Sequence, residues 1–230
     1  MENNDLKCEV VKEDFSQYDL SFKLIVIGDT SVGKSCLTLK ATKDYFENYY
    51  SPTVGFEFFT FNCKINEQNI RLQIWDTCGQ EEYRSLIQNF YRNSSLAIVV
   101  YSIDNNKSFE HLETWLNEIK TKGNPDIKIF LIGNKIDLEA KREIPMEMGE
   151  KFSKDNKMDL FLETSAKNGT NVVEIFTNAA LILYQEHMKY KDRASRVDSI
   201  IKLDIDQNEN SDITENEEKE PQRQKKCCLG

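Results

Sequence analysis

The stretch Gly28-Asp29-Thr30-Ser31-Val32-Gly33-Lys34-Ser35 has the spacing GxxxxGK[ST]. Glycine at both ends lets consecutive backbone N–H groups converge on phosphate oxygens. The helix expected from Lys34 onward adds the partial positive charge of its N-terminus. Lys34 would reach the β- and γ-phosphates of a nucleotide, and the Ser35 hydroxyl would ligate Mg²⁺. Farther on, Asn134-Lys135-Ile136-Asp137 follows an apolar run. A carboxylate at Asp137 can accept from N1–H and the 2-amino group of guanine. Adenine has neither donor there, so it would leave the carboxylate unpaired. Ser165-Ala166-Lys167 follows another apolar run and offers a backbone N–H to guanine O6. Alone, NKxD is a polar turn and SAK means nothing; behind a phosphate loop they form a set.

A fourth segment, Trp75-Asp76-Thr77-Cys78-Gly79-Gln80-Glu81, ends a hairpin strand. An acid at the C-terminal end of a strand, across from the phosphate loop, can hold a Mg²⁺-bound water. A helix cap or turn is the bland role for Asp76. Gly79 favours the functional role, because glycine permits close backbone approach to a γ-phosphate.

The elements that must position these groups are visible as hydrophobic patterning. Residues 22–27 (FKLIVI) read as a strand, with a helix from Lys34. Residues 56–65 and 70–76 are joined by the polar turn 66–69 and predict an antiparallel hairpin. Residues 96–101 and 127–132 are continuous apolar runs, as in parallel strands buried on both faces. Phe109, Leu112, Trp115 and Ile119 recur at helical spacing, as do Val172, Ile175, Ala179 and Leu183. These stripes are read as core. Strand and helix in alternation imply an α/β sheet with right-handed crossovers and helices on both faces.

Composition bounds the class. The chain has 230 residues and a formal charge of −9, which excludes a general nucleic-acid binder. Its longest apolar run falls far short of a membrane span of about 20 residues, and its first ten residues lack the apolar core of a secretory signal. Six cysteines and two histidines show no zinc-type spacing, so reduced thiols are expected. Charge sits in the tails: residues 1–20 hold six acids and two bases, and residues 204–220 hold eight acids and one base. Residues 1–20 are therefore read as a flexible arm, 21–190 as the folded domain, and 191–230 as a disordered tail.

Over residues 21–190 the motif set resembles the Ras superfamily of small GTPases and, within it, the Rab family. The Rab marks are Gly55-Phe56-Glu57-Phe58 after Thr53, residues 71–76 (RLQIWD) and residues 83–92 (YRSLIQNFYR). The resemblance implies a P-loop small-GTPase fold: a six-stranded, mostly parallel sheet with one antiparallel edge strand. It implies a GTP/GDP switch with Mg²⁺, slow hydrolysis without an activating protein, and switch regions near 46–55 and 77–92. By the same resemblance, residues 29–36 hold the phosphates, Cys36 included. Thr53 joins Mg²⁺ with Ser35 when the γ-phosphate is present, and Asp76 acts through a water. Phe46 packs against guanine, beside Asn134, Lys135, Asp137, Ser165, Ala166 and Lys167. Gln80 orients the attacking water, with Lys34 neutralising developing charge.

Three departures stand out. Thr30 and Ser31 replace the usual small residues, and a β-branched Thr30 near the γ-phosphate would slow hydrolysis. Cys78 replaces an alanine, as a reactive thiol or as a small apolar stand-in. Pro52 before Thr53 is closer to the Ras branch and changes the effector face.

The chain ends Lys225-Lys226-Cys227-Cys228-Leu229-Gly230. Two terminal cysteines after bases resemble a double geranylgeranylation signal, and two chains anchor where one is marginal. The resemblance thus implies the cytoplasmic face of a membrane with a cytosolic pool. It also implies exchange factors, activating proteins, effectors on the switch regions, and prenyl-delivery and GDP-dissociation-inhibitor proteins. The competing readings are a nucleotide-holding scaffold with little turnover and a Ras-like signalling GTPase.

Overall fold

A computed structural model describes residues 6–15, 17–46, 53, 55–79 and 90–214, with side chains described as far as residue 194. Its centre is one sheet of seven strands: β1 (Glu9–Val11), β2 (Leu20–Ile27), β3 (Phe56–Ile65), β4 (Gln68–Thr77), β5 (Leu96–Ser102), β6 (Lys128–Asn134) and β7 (Leu160–Thr164). The spatial order is β1-β3-β4-β2-β5-β6-β7. From β4 to β7 all neighbours run parallel, while β1–β3 and β3–β4 are antiparallel. All seven residues of β5 are buried, as an apolar run between two parallel neighbours requires.

The helices are α1 (Lys34–Lys43), α2 (Asn106–Glu110), α3 (Leu112–Lys122), α4 (Met146–Asp155) and α5 (Val172–Thr214), with a 3-10 turn at Ile136–Lys141. Helix α3 buries Leu112, Trp115, Leu116 and Ile119, which includes three of the four positions of the sequence stripe. Val172, Ile175, Ala179 and Leu183 are likewise buried. At roughly 1.5–3 kcal/mol per fully buried aliphatic side chain, such stripes hold the helices to the sheet far more strongly than helix propensity does.

Two expectations are corrected. The sheet has seven strands, not six, because the short antiparallel strand β1 adds to the outer side of β3. Correspondingly, the first twenty residues are not a free arm throughout. Val10 pairs with Cys63 on the outer side of β3. Arg71 donates to the Phe15 carbonyl (2.7 Å) and the Asp14 carboxylate (2.5 Å), and Asn62 donates to the Glu13 carbonyl (3.1 Å). An uncovered β3 would leave a row of unpaired backbone groups.

The chain divides into two compact units, Met1–Tyr184 and Gln185–Gly230. Helix α5 continues past residue 190, where the sequence reading began its disordered tail, to Thr214. Residues 191–214 hold neither proline nor glycine, so nothing in them breaks a helix.

Candidate functional site: a phosphate loop, a hard-oxygen cluster and a base clamp

The phosphate loop links the end of β2 to α1. Gly28 has φ +138°, and a Cβ there would lie 2.1 Å from the Val100 carbonyl oxygen. Gly33 has φ +97°, and its Cβ would lie 2.3 Å from Asn134 Nδ2. No side chain caps α1, and its first turn holds no acid. Its leading N–H groups are left for an anion. Lys34 is buried at 5% exposure, and its ammonium folds back to donate to the carbonyls of Gly28 (2.9 Å) and Asp29 (2.7 Å). Burial pulls its pKa down to about 8 against the pull of Asp76 and Asp29. The group therefore stays mostly cationic at neutral pH. Val32 is buried, while Thr30 and Ser31 are exposed at the loop apex. Ser31 adopts the left-handed φ of +65°, a conformation costing a non-glycine residue about 1 kcal/mol. Half-buried Cys36 sits in the first turn of α1.

Behind the loop lies a cluster of oxygen donors. The Ser35 hydroxyl is 2.7 Å from Thr53 Oγ1 and also bonds the Asp76 carboxylate. Asp76, near the end of β4, is fully buried, and its Oδ1 has no hydrogen-bond partner. Burial pushes its pKa up to about 7. Two hydroxyls and a carboxylate with an orphaned oxygen are a hard donor set, suited to Mg²⁺ and its waters. Among the described residues no cluster of His, Cys, Asp or Glu offers an alternative metal site. Gly79 abuts this region: a Cβ there would lie 2.3 Å from the Thr30 backbone nitrogen. Cys78 is 2% exposed, which fits the small apolar stand-in rather than a reactive thiol.

The third part is a clamp. Asn134, at the end of β6 and 1% exposed, donates to the Val32 carbonyl (2.9 Å). Its Oδ1 accepts from Thr164 Oγ1 (3.2 Å) and from the Ala166 N–H (3.3 Å). One side chain thus ties the phosphate loop to the Ser165-Ala166-Lys167 loop. Asp137 is exposed, and its Oδ1 accepts from Ser165 Oγ at 2.5 Å, which fixes the carboxylate's direction. Lys135 has φ +71° and lies 3.8 Å from Asp104 Oδ1. Lys167 is exposed and Phe46, just past α1, half-buried.

Sequence reasoning missed one contact. The Asp29 carboxylate accepts from Trp115 Nε1 (2.8 Å) and meets His111 Nδ1 at 2.6 Å. Helical spacing marked Trp115 as core, and only the packing of α3 against the loop reveals its polar edge. Gln80, most of both switch regions, Pro52 and the cysteines Cys227 and Cys228 lie outside the described residues.

The arrangement can hold a nucleoside triphosphate: phosphates over the loop, a divalent cation at Ser35, Thr53 and Asp76, a base near Asp137. A comparison with protein families agrees: the model of the Ras family matches residues 23–185.

Proposed function

This chain belongs to the Ras family, a family of GTP-binding switches, and from that premise we propose that it is a Rab-type GTPase. In this reading it hydrolyses GTP, carries lipid on its terminal cysteines and directs vesicle traffic through effectors. The observation that carries the switch is Thr53. Its hydroxyl reaches the Ser35–Asp76 cluster from the loop before β3. A γ-phosphate shared with that cluster would fix the loop, and its loss would release it. Ser35, Thr53 and Asp76 would hold Mg²⁺, which would supply positive charge against the phosphates. Lys34 holds the developing negative charge, Gln80 orients the water, and Gly79 lets the backbone pass close to the phosphate.

Effectors need a surface that reads the switches. Phe56 and Phe58 are 48% and 49% exposed and pack on Trp75 with ring centroids 5.3 and 5.2 Å away. Phe90 adds a further ring 4.8 Å from Trp75. Phe56, Phe58 and Trp75 lie on the β3–β4 hairpin, and Phe90 lies near the end of the second switch region. Exposed contiguous aromatic surface of this kind suits a protein partner.

Gln80→Leu should keep GTP binding and lose activator-stimulated hydrolysis, because a leucine cannot orient water. Measured with a matched activating protein, parent-like hydrolysis by the variant would remove Gln80 from the mechanism. The anchor is tested separately. Residues 204–220 are acidic and repelled by anionic lipid. The three bases of the last ten residues contribute only about 1 kcal/mol each near a membrane. Lipid must supply most of the adhesion, at about 0.8 kcal/mol per buried CH₂. Cys227→Ser with Cys228→Ser should move the protein to the soluble fraction without changing nucleotide affinity. Sedimentation of the double variant with membranes, as the parent does, would place the anchor elsewhere.

The competing reading, a scaffold that holds nucleotide with little turnover, draws on Thr30. Its exposed, β-branched side chain stands at the loop apex beside Gly79. In-line attack needs space there, so Thr30 is expected to slow hydrolysis rather than abolish it.

A further inference from the structure

The Asp29 side chain belongs to the phosphate loop but gives both of its oxygens to helix α3. Trp115 Nε1 donates to Oδ1 at 2.8 Å, and His111 Nδ1 meets Oδ2 at 2.6 Å. An ionised carboxylate only accepts, so Nδ1 carries the hydrogen. Trp115 and His111 stand four positions apart, on one face of the helix. One donor on each oxygen stops the carboxylate from rotating. A buried indole N–H needs an acceptor, and a hydroxyl or an amide would meet that need. The second donor exceeds it. His111 opens α3 without making a side-chain capping bond there, and its ring is turned to the loop instead. We propose that Trp115 and His111 are positioning residues that act through Asp29 to hold the phosphate loop in the shape that retains nucleotide. The inference rests on the reading of this loop as a guanine-nucleotide site.

The loop needs holding. Ser31 keeps a φ of +65°, a strained conformation that persists only where its surroundings over-determine it. Asn134 fixes the far half of the loop through the Val32 carbonyl (2.9 Å). The near half is fixed at Asp29, whose backbone has two further duties. Its carbonyl accepts from Lys34 Nζ at 2.7 Å, beside the Gly28 carbonyl at 2.9 Å. Two of the three ammonium donors are thereby committed, and the direction left for a phosphate follows from where these carbonyls sit. The peptide that joins Asp29 to Thr30 is also the surface Gly79 packs on: a Cβ at Gly79 would lie 2.4 Å from the Asp29 carbonyl carbon and 2.3 Å from the Thr30 nitrogen. Contacts on the Asp29 carboxylate therefore set the placement of Lys34 and Gly79 together. An unpaired carboxylate at this point would also repel the phosphates, and two N–H donors from α3 offset its charge.

The test uses the full chain loaded with a fluorescent GDP analogue and Mg²⁺ and chased with excess unlabelled GDP. Trp115→Phe keeps a ring in the core and deletes the N–H. It should quicken release about tenfold, the size expected for a lost hydrogen bond to a charged acceptor. His111→Leu, at a half-exposed position, should quicken it about threefold, because solvent screens that contact. His111→Asn places an amide donor near the site of Nδ1 and should bring release back to within about twofold of the parent. A double-mutant cycle separates this contact from simple packing: in an Asp29→Ala background, Trp115→Phe should add no further acceleration.

The proposal is overturned if Trp115→Phe and His111→Leu release the analogue as the parent does. It is equally overturned if His111→Asn is as fast as His111→Leu, or if Trp115→Phe accelerates release as much in the Asp29→Ala background as in the parent. Should Trp115→Phe fail to fold, the two His111 variants decide alone. A parent chain that retains no GDP overturns the guanine-nucleotide reading, and this inference with it.

Discussion

Asp137→Asn should lower GTP affinity by roughly 10²–10⁴-fold and confer binding of xanthosine triphosphate. In the proposed base site the parent carboxylate would accept two charge-assisted hydrogen bonds from guanine, each contributing about 1.5–3 kcal/mol. An amide keeps one acceptor and turns a donor toward the base. Xanthine has an oxygen at C2, which that donor satisfies and a carboxylate would repel. The geometry supports a selective exchange. Ser165 Oγ holds Asp137 Oδ1 at 2.5 Å, so the replacement has a defined orientation. Asn134, which ties this region to the phosphate loop, is untouched. Competition binding with GTP, ATP and XTP measures the effect. Unchanged GTP affinity would remove Asp137 from the base site.

Asp76→Asn should change sign with the loading of the site. In protein stripped of nucleotide and Mg²⁺, Asp76 is fully buried, with its pKa raised to about 7 from an ordinary 3.8. A raised carboxyl pKa gives stability that is complete below about pH 4 and lost as pH rises through about 7. The loss amounts to roughly 4 kcal/mol. An asparagine cannot ionise, so the stripped variant should gain on the stripped parent across that window and be the more stable protein at pH 8. With GDP and Mg²⁺ present the order should invert. The carboxylate is then neutralised through the cation's water, and the amide loses that charge pairing. Thermal melts of both proteins, stripped and loaded, at pH 5 and pH 8 supply the comparison. A variant that is equally destabilised in all four conditions would mean that Asp76 is merely structural.

The parts of this site that could be read in the sequence are those in which a few adjacent residues do the chemistry. The loop from Gly28 to Ser35 dictates its own geometry, because its two glycines occupy conformations or close approaches that a Cβ forbids. The parallel strands were legible for a similar reason: burial on both faces demands an unbroken apolar run, as in β5. What escaped depended on distant partners. Strand β1 is only Glu-Val-Val, and pairing with β3 plus the reach of Arg71 and Asn62 decides its structure. The clamp on Asp29 joins residues 82 and 86 positions apart. The extent of α5 was hidden by the polar run that follows residue 206, whose scarcity of large apolar residues reads as disordered. Val197, Ile200, Ile201 and Ile205 recur at helical spacing just before it.

If one site binds GTP with Mg²⁺ and converts it to GDP, single-turnover hydrolysis by the purified full chain, loaded with γ-labelled GTP and started by Mg²⁺, should release one phosphate per bound GTP, slowly and only with Mg²⁺. ATP should neither load nor compete. GTP recovered intact after prolonged incubation with Mg²⁺ and an activating protein, or loading by ATP as readily as by GTP, would contradict this reading.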